Sequence, residues 1–211
     1  MGFDLHGIKP IINIKHSQEY SDIIKTYGKD GWLDWSKDIP EFTKKRYFEL
    51  QDEFRENNPG EYFRNNVWSW RPLWNYVCEQ CQDFLSVEDM SGGSQNSGHK
   101  ISKTKSIKIS KRLYKLESNG ILDETEREIS LMIAKARAYN EELKEQMDVV
   151  SKECKEKHGK HLFPANYPEP YHTKWKTLQS QHDWDGDYPF DKENVIEFAK
   201  FCKESGGFSI C

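Results

Sequence analysis

The longest apolar stripe in the chain runs from about Asp123 to His158, and no other feature limits the fold as much. Ile129, Ile133, Ala136, Leu143, Met147, Val150 and Cys154 recur at spacings of three or four, with one slot filled by Tyr139 or Asn140. That period is helical, and it persists over several heptads, long enough for a helical hairpin or an inter-chain seam. The fold class expected is mainly α: a helical domain with a small extended or β N-terminal part and one long helix or helical hairpin. Self-association through residues 123–158 goes with that expectation.

A single domain over residues 1–211 is the expected organisation. Its parts are an aromatic-rich N-terminal half (1–90), a flexible loop (91–100), the helical hairpin or long helix (101–160), and an irregular segment with a C-terminal helix packing on the N-terminal half (161–211). Phe3 and Leu5 alternate with Asp4 and His6, the period of a short strand. Ile11, Ile12 and Ile14 read as a second strand or a buried extended run. Tyr20 to Tyr27 reads as helix, closed by Gly28 and Gly31. The next helix has Pro40 in its first turn, buries Phe42, Tyr47, Leu50 and Phe54, and ends at Pro59-Gly60. Ser69 reads as the N-cap of a third helix, which places Pro72 in a first turn where its missing N–H is harmless. Ser91–Gly98 reads as a flexible connection with no core-forming side chain. Asp191 reads as the cap of the last helix and Ser205-Gly206-Gly207-Phe208 as its close, with an apolar tail that packs into the body.

The stretch Tyr62–Trp74 is the candidate site. It holds five aromatic rings, two guanidinium groups and two side-chain amides. Arg64 and Arg71 are candidates to hold an anion through their planar forks, Trp68, Trp70 or Trp74 to stack on a ring, and Asn65 or Asn66 to read its edge. The structural alternative is that the tryptophans fill a core while the arginines pair with carboxylates or stack on rings.

Other chemistries are weaker or fail. Asp4 and His6 share one side of the first strand and offer an acid/base pair. Cys78 and Cys81 have zinc-ligand spacing but need partners such as Cys154, His158 or His161, and two small buried residues are the simpler meaning. Asp183 opens a stretch like a calcium loop, yet Tyr188 and Asn194 stand where that loop needs Gly and Glu. No P-loop, nucleophile elbow, metalloprotease or dinucleotide motif occurs, and neither a metal nor a cofactor is expected. The run from Lys100 to Lys115 reads as a solvated basic helix face. Net charge is −4, from 31 basic and 35 acidic residues, which disfavours duplex nucleic acid as a partner. No apolar run approaches the roughly 20 residues that cross a bilayer, no secretion signal opens the chain, and five cysteines without framework spacing fit reduced thiols. Those features point to the cytoplasm.

The opening Met-Gly-Phe-Asp-Leu-x-Gly, the block Tyr-Phe-Arg-Asn-Asn-Val-Trp-x-Trp-Arg-Pro-Leu-Trp and the closing Ser-Gly-Gly-Phe-x-Ile-Cys resemble a group of proteins encoded in phage and prophage genomes. The resemblance covers the two ends and the candidate site, and it brings no activity with it. It implies a setting, a phage product in the host cytoplasm. The function expected is non-enzymatic binding of a small anionic, nucleotide-like molecule, with sequestration of a host immune signal as its anti-defence use. The alternatives are a protein–protein inhibitor module acting on a host protein through the long helix, and a small hydrolase or transferase using Asp4 and His6.

Overall fold

Alternating polarity at the N-terminus produces the strand that the sequence predicts. In the computed structural model, which describes residues 2–211, β1 (Gly2–Gly7) buries Phe3 and Leu5 on one face and turns Asp4 and His6 to the other. It pairs antiparallel with β4 (Tyr62–Asn66) on one side and β6 (Phe208–Ile210) on the other, and β6 pairs antiparallel with β5 (His99–Ile101). The sheet order is β4-β1-β6-β5, so the chain's last strand sits in its interior. The apolar tail therefore packs, as predicted, and does so as a ladder strand, with Asp4 and Cys211 exchanging backbone hydrogen bonds at 2.8 Å.

Outside these strands the chain is mainly helical: α1 (Gln18–Tyr27), α2 (Glu41–Asn57), α3 (Val67–Cys81), α4 (Val87–Gly93), α5 (Lys103–Ser118), α6 (Ile121–His158), α7 (Tyr171–Gln179) and α8 (Lys192–Glu204). The expected fold class holds, with α6 as its one long helix of 38 residues. Contacts divide the chain into two compact units, residues up to Asn119 together with Glu193–Cys211, and Gly120–Lys192.

The first unit has an aromatic core. Trp70 and Trp74 stack on one another with ring centroids 5.3 Å apart, Phe3 lies 5.5 Å from Trp70, and Phe198 of α8 meets Trp70 edge-on. Phe63, Phe201 and Phe208 complete the cluster. The two indole N–H groups donate to Gly93 O and Met90 O at 2.8 and 2.9 Å. Carbonyls near a helix C-terminus lack helical partners, and here the buried indoles supply them. Gly93 lets the ring approach, since a Cβ there would lie 2.0 Å from Trp74.

Several sequence expectations are corrected here. Asn66, not Ser69, caps α3, accepting from the N–H groups of Trp68 and Ser69. Pro72 thus sits one turn deeper, inside the helix, at the cost of one backbone hydrogen bond. Ile11, Ile12 and Ile14 form neither strand nor core and stay 54%, 47% and 36% exposed. Phe42 is exposed rather than part of the α2 stripe. Residues 91–98 are not a plain flexible connection: α4 extends to Gly93, which packs under Trp74, and Ser86 with Asp89 forms a capping box at the start of that helix.

In the second unit, α6 buries Ile133, Ala136, Leu143, Val150 and Cys154. The open slot in its stripe belongs to Asn140, whose amide donates to Asp183 O and accepts from Asp183 N, both at 2.8 Å. Its apolar stripe is covered by the chain's own irregular segment: Tyr171, Trp175 and Leu178 of α7, with Leu162 and Tyr167, pack on Val150 and Cys154. Among the described residues no helix is long and apolar enough to cross a membrane.

Candidate functional site

Adjacent residues of a strand point to opposite faces of the sheet, and this separates the residues of the candidate stretch. Asn65 lies on the helix-covered face, where its amide donates to Asn194 of α8 at 2.8 Å. Arg64 lies on the open face, opposite Asp4, with its Nε 3.6 Å from the Asp4 carboxylate. Asn66 is occupied as the cap of α3. Trp70 and Trp74, 0% and 1% exposed, are core and cannot meet a guest. Trp68 and Arg71 are exposed on α3. Arg64 lines a cavity.

That cavity, of about 420 Å³, opens on the polar side of the sheet between α2 and the first β-hairpin. The hairpin joins β2 (Gly28–Lys29) to β3 (Trp32–Leu33) through Asp30 and Gly31, with φ of 53° and 88°. Positive φ at both positions is the sign of a type I′ turn, which Asp-Gly favours. Two-residue alternation on β3 then buries Leu33 and leaves Trp32 58% exposed. Immediately after, the Asp34 carboxylate accepts from the Ser36 hydroxyl at 2.6 Å and from the Ser36 N–H at 3.1 Å, and these bonds hold it below its ordinary pKa. This small turn brackets Trp35, which is 64% exposed and stacks on Phe48 at 6.2 Å.

On α2, Tyr47, Gln51 and Arg55 recur every four residues and so share one face. All three line the cavity, with Gln51 donating to the Tyr47 hydroxyl at 2.8 Å. The Arg55 guanidinium lies 4.4 Å above the Tyr62 ring. No carboxylate lies within ion-pair distance of Arg55 among the described residues. Tyr62 donates its hydroxyl to Asp4, and burial together with that bond pushes the phenol up to about 12, so it stays protonated at neutral pH. His6 sits beside it, ring centroids 5.2 Å apart. Asp4 is thus held by Tyr62 and Arg64 rather than paired with His6.

The cavity therefore presents two guanidinium groups, two accessible indoles and a fixed phenol. Guanidinium groups give charge-assisted hydrogen bonds to anions and exposed indoles give a face for stacking, so this set of groups is chemically suited to a planar anion. Arg55, Trp32 and Trp35 are absent from the sequence-derived set. Two signals marked them: the Asp-Gly hairpin before Trp32, and the four-residue step from Tyr47 to Arg55.

A second cavity, of about 600 Å³, lies in the unit 120–192, lined by Leu143, Met147, Trp175, Leu178 and Trp184. It is larger but mostly apolar, and the His182 and Asp187 at its edge engage one another at 3.1 Å. Burial pushes the Cys78 and Cys81 thiols up to about 11 and about 12, and among the described residues no group of three or more His, Cys, Asp or Glu is placed to hold a metal ion. Comparison with known proteins finds no matching family model, no matching curated protein and no matching solved structure.

Proposed function

We propose that the cavity between α2, the β2–β3 hairpin and β4 binds a small planar anion of the nucleotide class, without turning it over. The observation that carries this reading is Arg55, a half-buried guanidinium without a carboxylate partner among the described residues, facing a cavity walled by accessible indoles. Taking a guanidinium partly out of water is costly unless an anion meets it, and a phosphate does so through two parallel hydrogen bonds. In a phage product inside a bacterium, the setting implied by the resemblance, such binding serves to sequester a host nucleotide signal.

The experiment is a thermal-unfolding screen against mono-, di- and cyclic nucleotides. A ligand at 100 times its Kd adds about 2.7 kcal/mol of stability. Arg55→Ala with Arg64→Ala is expected to abolish the shift, whereas Arg71→Ala leaves it intact. Recovery of unaltered ligand after denaturation separates binding from catalysis. If no nucleotide stabilises the protein, or the shift survives loss of both arginines, the reading fails.

A further inference from the structure

Between His99 and Leu116 the chain carries seven Lys and Arg residues and not one Asp or Glu. Most of this run is α5, which buries Ser106, Ile109, Ser110, Leu113 and Leu116 on one side. At about 100° per residue, Lys108, Lys111, Arg112 and Lys115 fall within an arc of about 100° outside that buried side. They line an open groove of about 380 Å³ together with Phe84 and Asp83 from the segment between α3 and α4.

The four cations are not equivalent. Arg112 is fixed by the protein, its guanidinium donating to Gln80 O and, at 2.8 Å, to the Asp83 carboxylate. Asp83 is the groove's one acidic member and is used up by that bond. Lys108, Lys111 and Lys115 are exposed and have no carboxylate within 4.0 Å among the described residues. Phe84 stands half-buried beside them, with Lys108 Nζ 5.5 Å and Arg112 Cζ 5.7 Å from its ring centroid.

We propose that this face of α5 binds single-stranded nucleic acid, with Lys108, Lys111 and Lys115 on successive phosphates and Phe84 beside a base. A row of lysines extending about 10 Å along a helix is too long for one phosphate and suits a phosphodiester strand. A positive groove with an adjacent aromatic ring is the general device for holding single strands without reading sequence. A duplex does not fit this surface as well: the chain as a whole carries −4, and three lysines on one helix fall short of the six to ten phosphate contacts typical of duplex binders. This site is independent of the Arg55–Arg64 cavity.

The test is fluorescence anisotropy with labelled oligo-dT and oligo-U of about 12 nucleotides, within the span such sites cover. Three phosphate contacts at ~0.7 each predict a slope of about −2 in log K against log salt. Lys108→Gln, Lys111→Gln and Lys115→Gln together are expected to bring the slope near zero and remove binding, with an unchanged circular dichroism spectrum because all three side chains are exposed. Arg64→Ala is expected to leave the binding unaltered. The proposal is overturned by absence of binding at low salt, by equal affinity and slope in the triple variant, by tighter binding of a duplex, or by binding of inorganic polyphosphate without the oligonucleotides.

Discussion

Two pairs of tryptophans sit in opposite surroundings. Trp70 and Trp74 sit in the most aromatic stretch of the chain, stack on each other, and are sealed from solvent with their N–H groups satisfied by backbone carbonyls. Trp32 and Trp35 sit in a short hairpin and the turn after it, more than half exposed, beside two arginines. The difference is one of periodicity. Trp70 and Trp74 lie four residues apart on a helix and so share its buried face, while Trp32 and Trp35 are held outward by turn geometry. Density of aromatic residues marks the core here, and the accessible rings are those that local turns present.

The comparison can be broken from either side. Trp74→Ala removes a stacked core ring and the donor to Met90 O, and it is expected to cost about 3–5 kcal/mol in urea unfolding. Gly93→Ala forces a methyl into the same indole and is expected to cost about 1–3 kcal/mol, read the same way. If either variant keeps its wild-type midpoint, the aromatic core is not what holds the first unit together. Trp35→Ala should instead move stability by no more than about 0.5 kcal/mol while weakening the ligand-induced thermal shift. Asp4→Asn removes the carboxylate that competes for Arg64, so anion affinity is expected to rise. The exposed pair is worth at most about 1 kcal/mol, which caps the gain near five-fold in a titration.

The smallest effect concerns pH. His16 has both ring faces covered, by Tyr20 at 4.0 Å and Phe54 at 3.7 Å, while its edge stays accessible. Loss of hydration holds its pKa below the ordinary 6.5, against a weaker opposing pull from Glu61. The unfolded chain then binds the extra proton more readily, so stability falls as pH drops through 6.5. His16→Phe is expected to flatten that slope in unfolding curves measured between neutral and mildly acidic pH.

Much of the fold was legible because it rests on local periodicity. The alternation of Phe3 and Leu5 with Asp4 and His6 gives β1, and the three-and-four spacing from Ile133 to Cys154 gives α6. The site was less legible. Arg64 enters the candidate set through its neighbours, but the same neighbourhood also brings in Trp70 and Trp74, which the aromatic core buries. Asn65 and Asn66 looked like a pair, yet one belongs to the helix-covered face and the other caps α3. The short strands β5 and β6 carried too few residues to show a period, so the central place of the C-terminal strand was hidden.

By itself the sequence determined the long helices, the first strand and most of their apolar faces, because those follow from bonds between near neighbours. The tertiary structure decided which aromatic residues meet solvent, that Arg55 from α2 and Arg64 from β4 line one cavity, and that Lys108, Lys111 and Lys115 have no carboxylate within ion-pair distance among the described residues. Each of those depends on groups brought together across the fold, and no spacing along the chain encodes that distance.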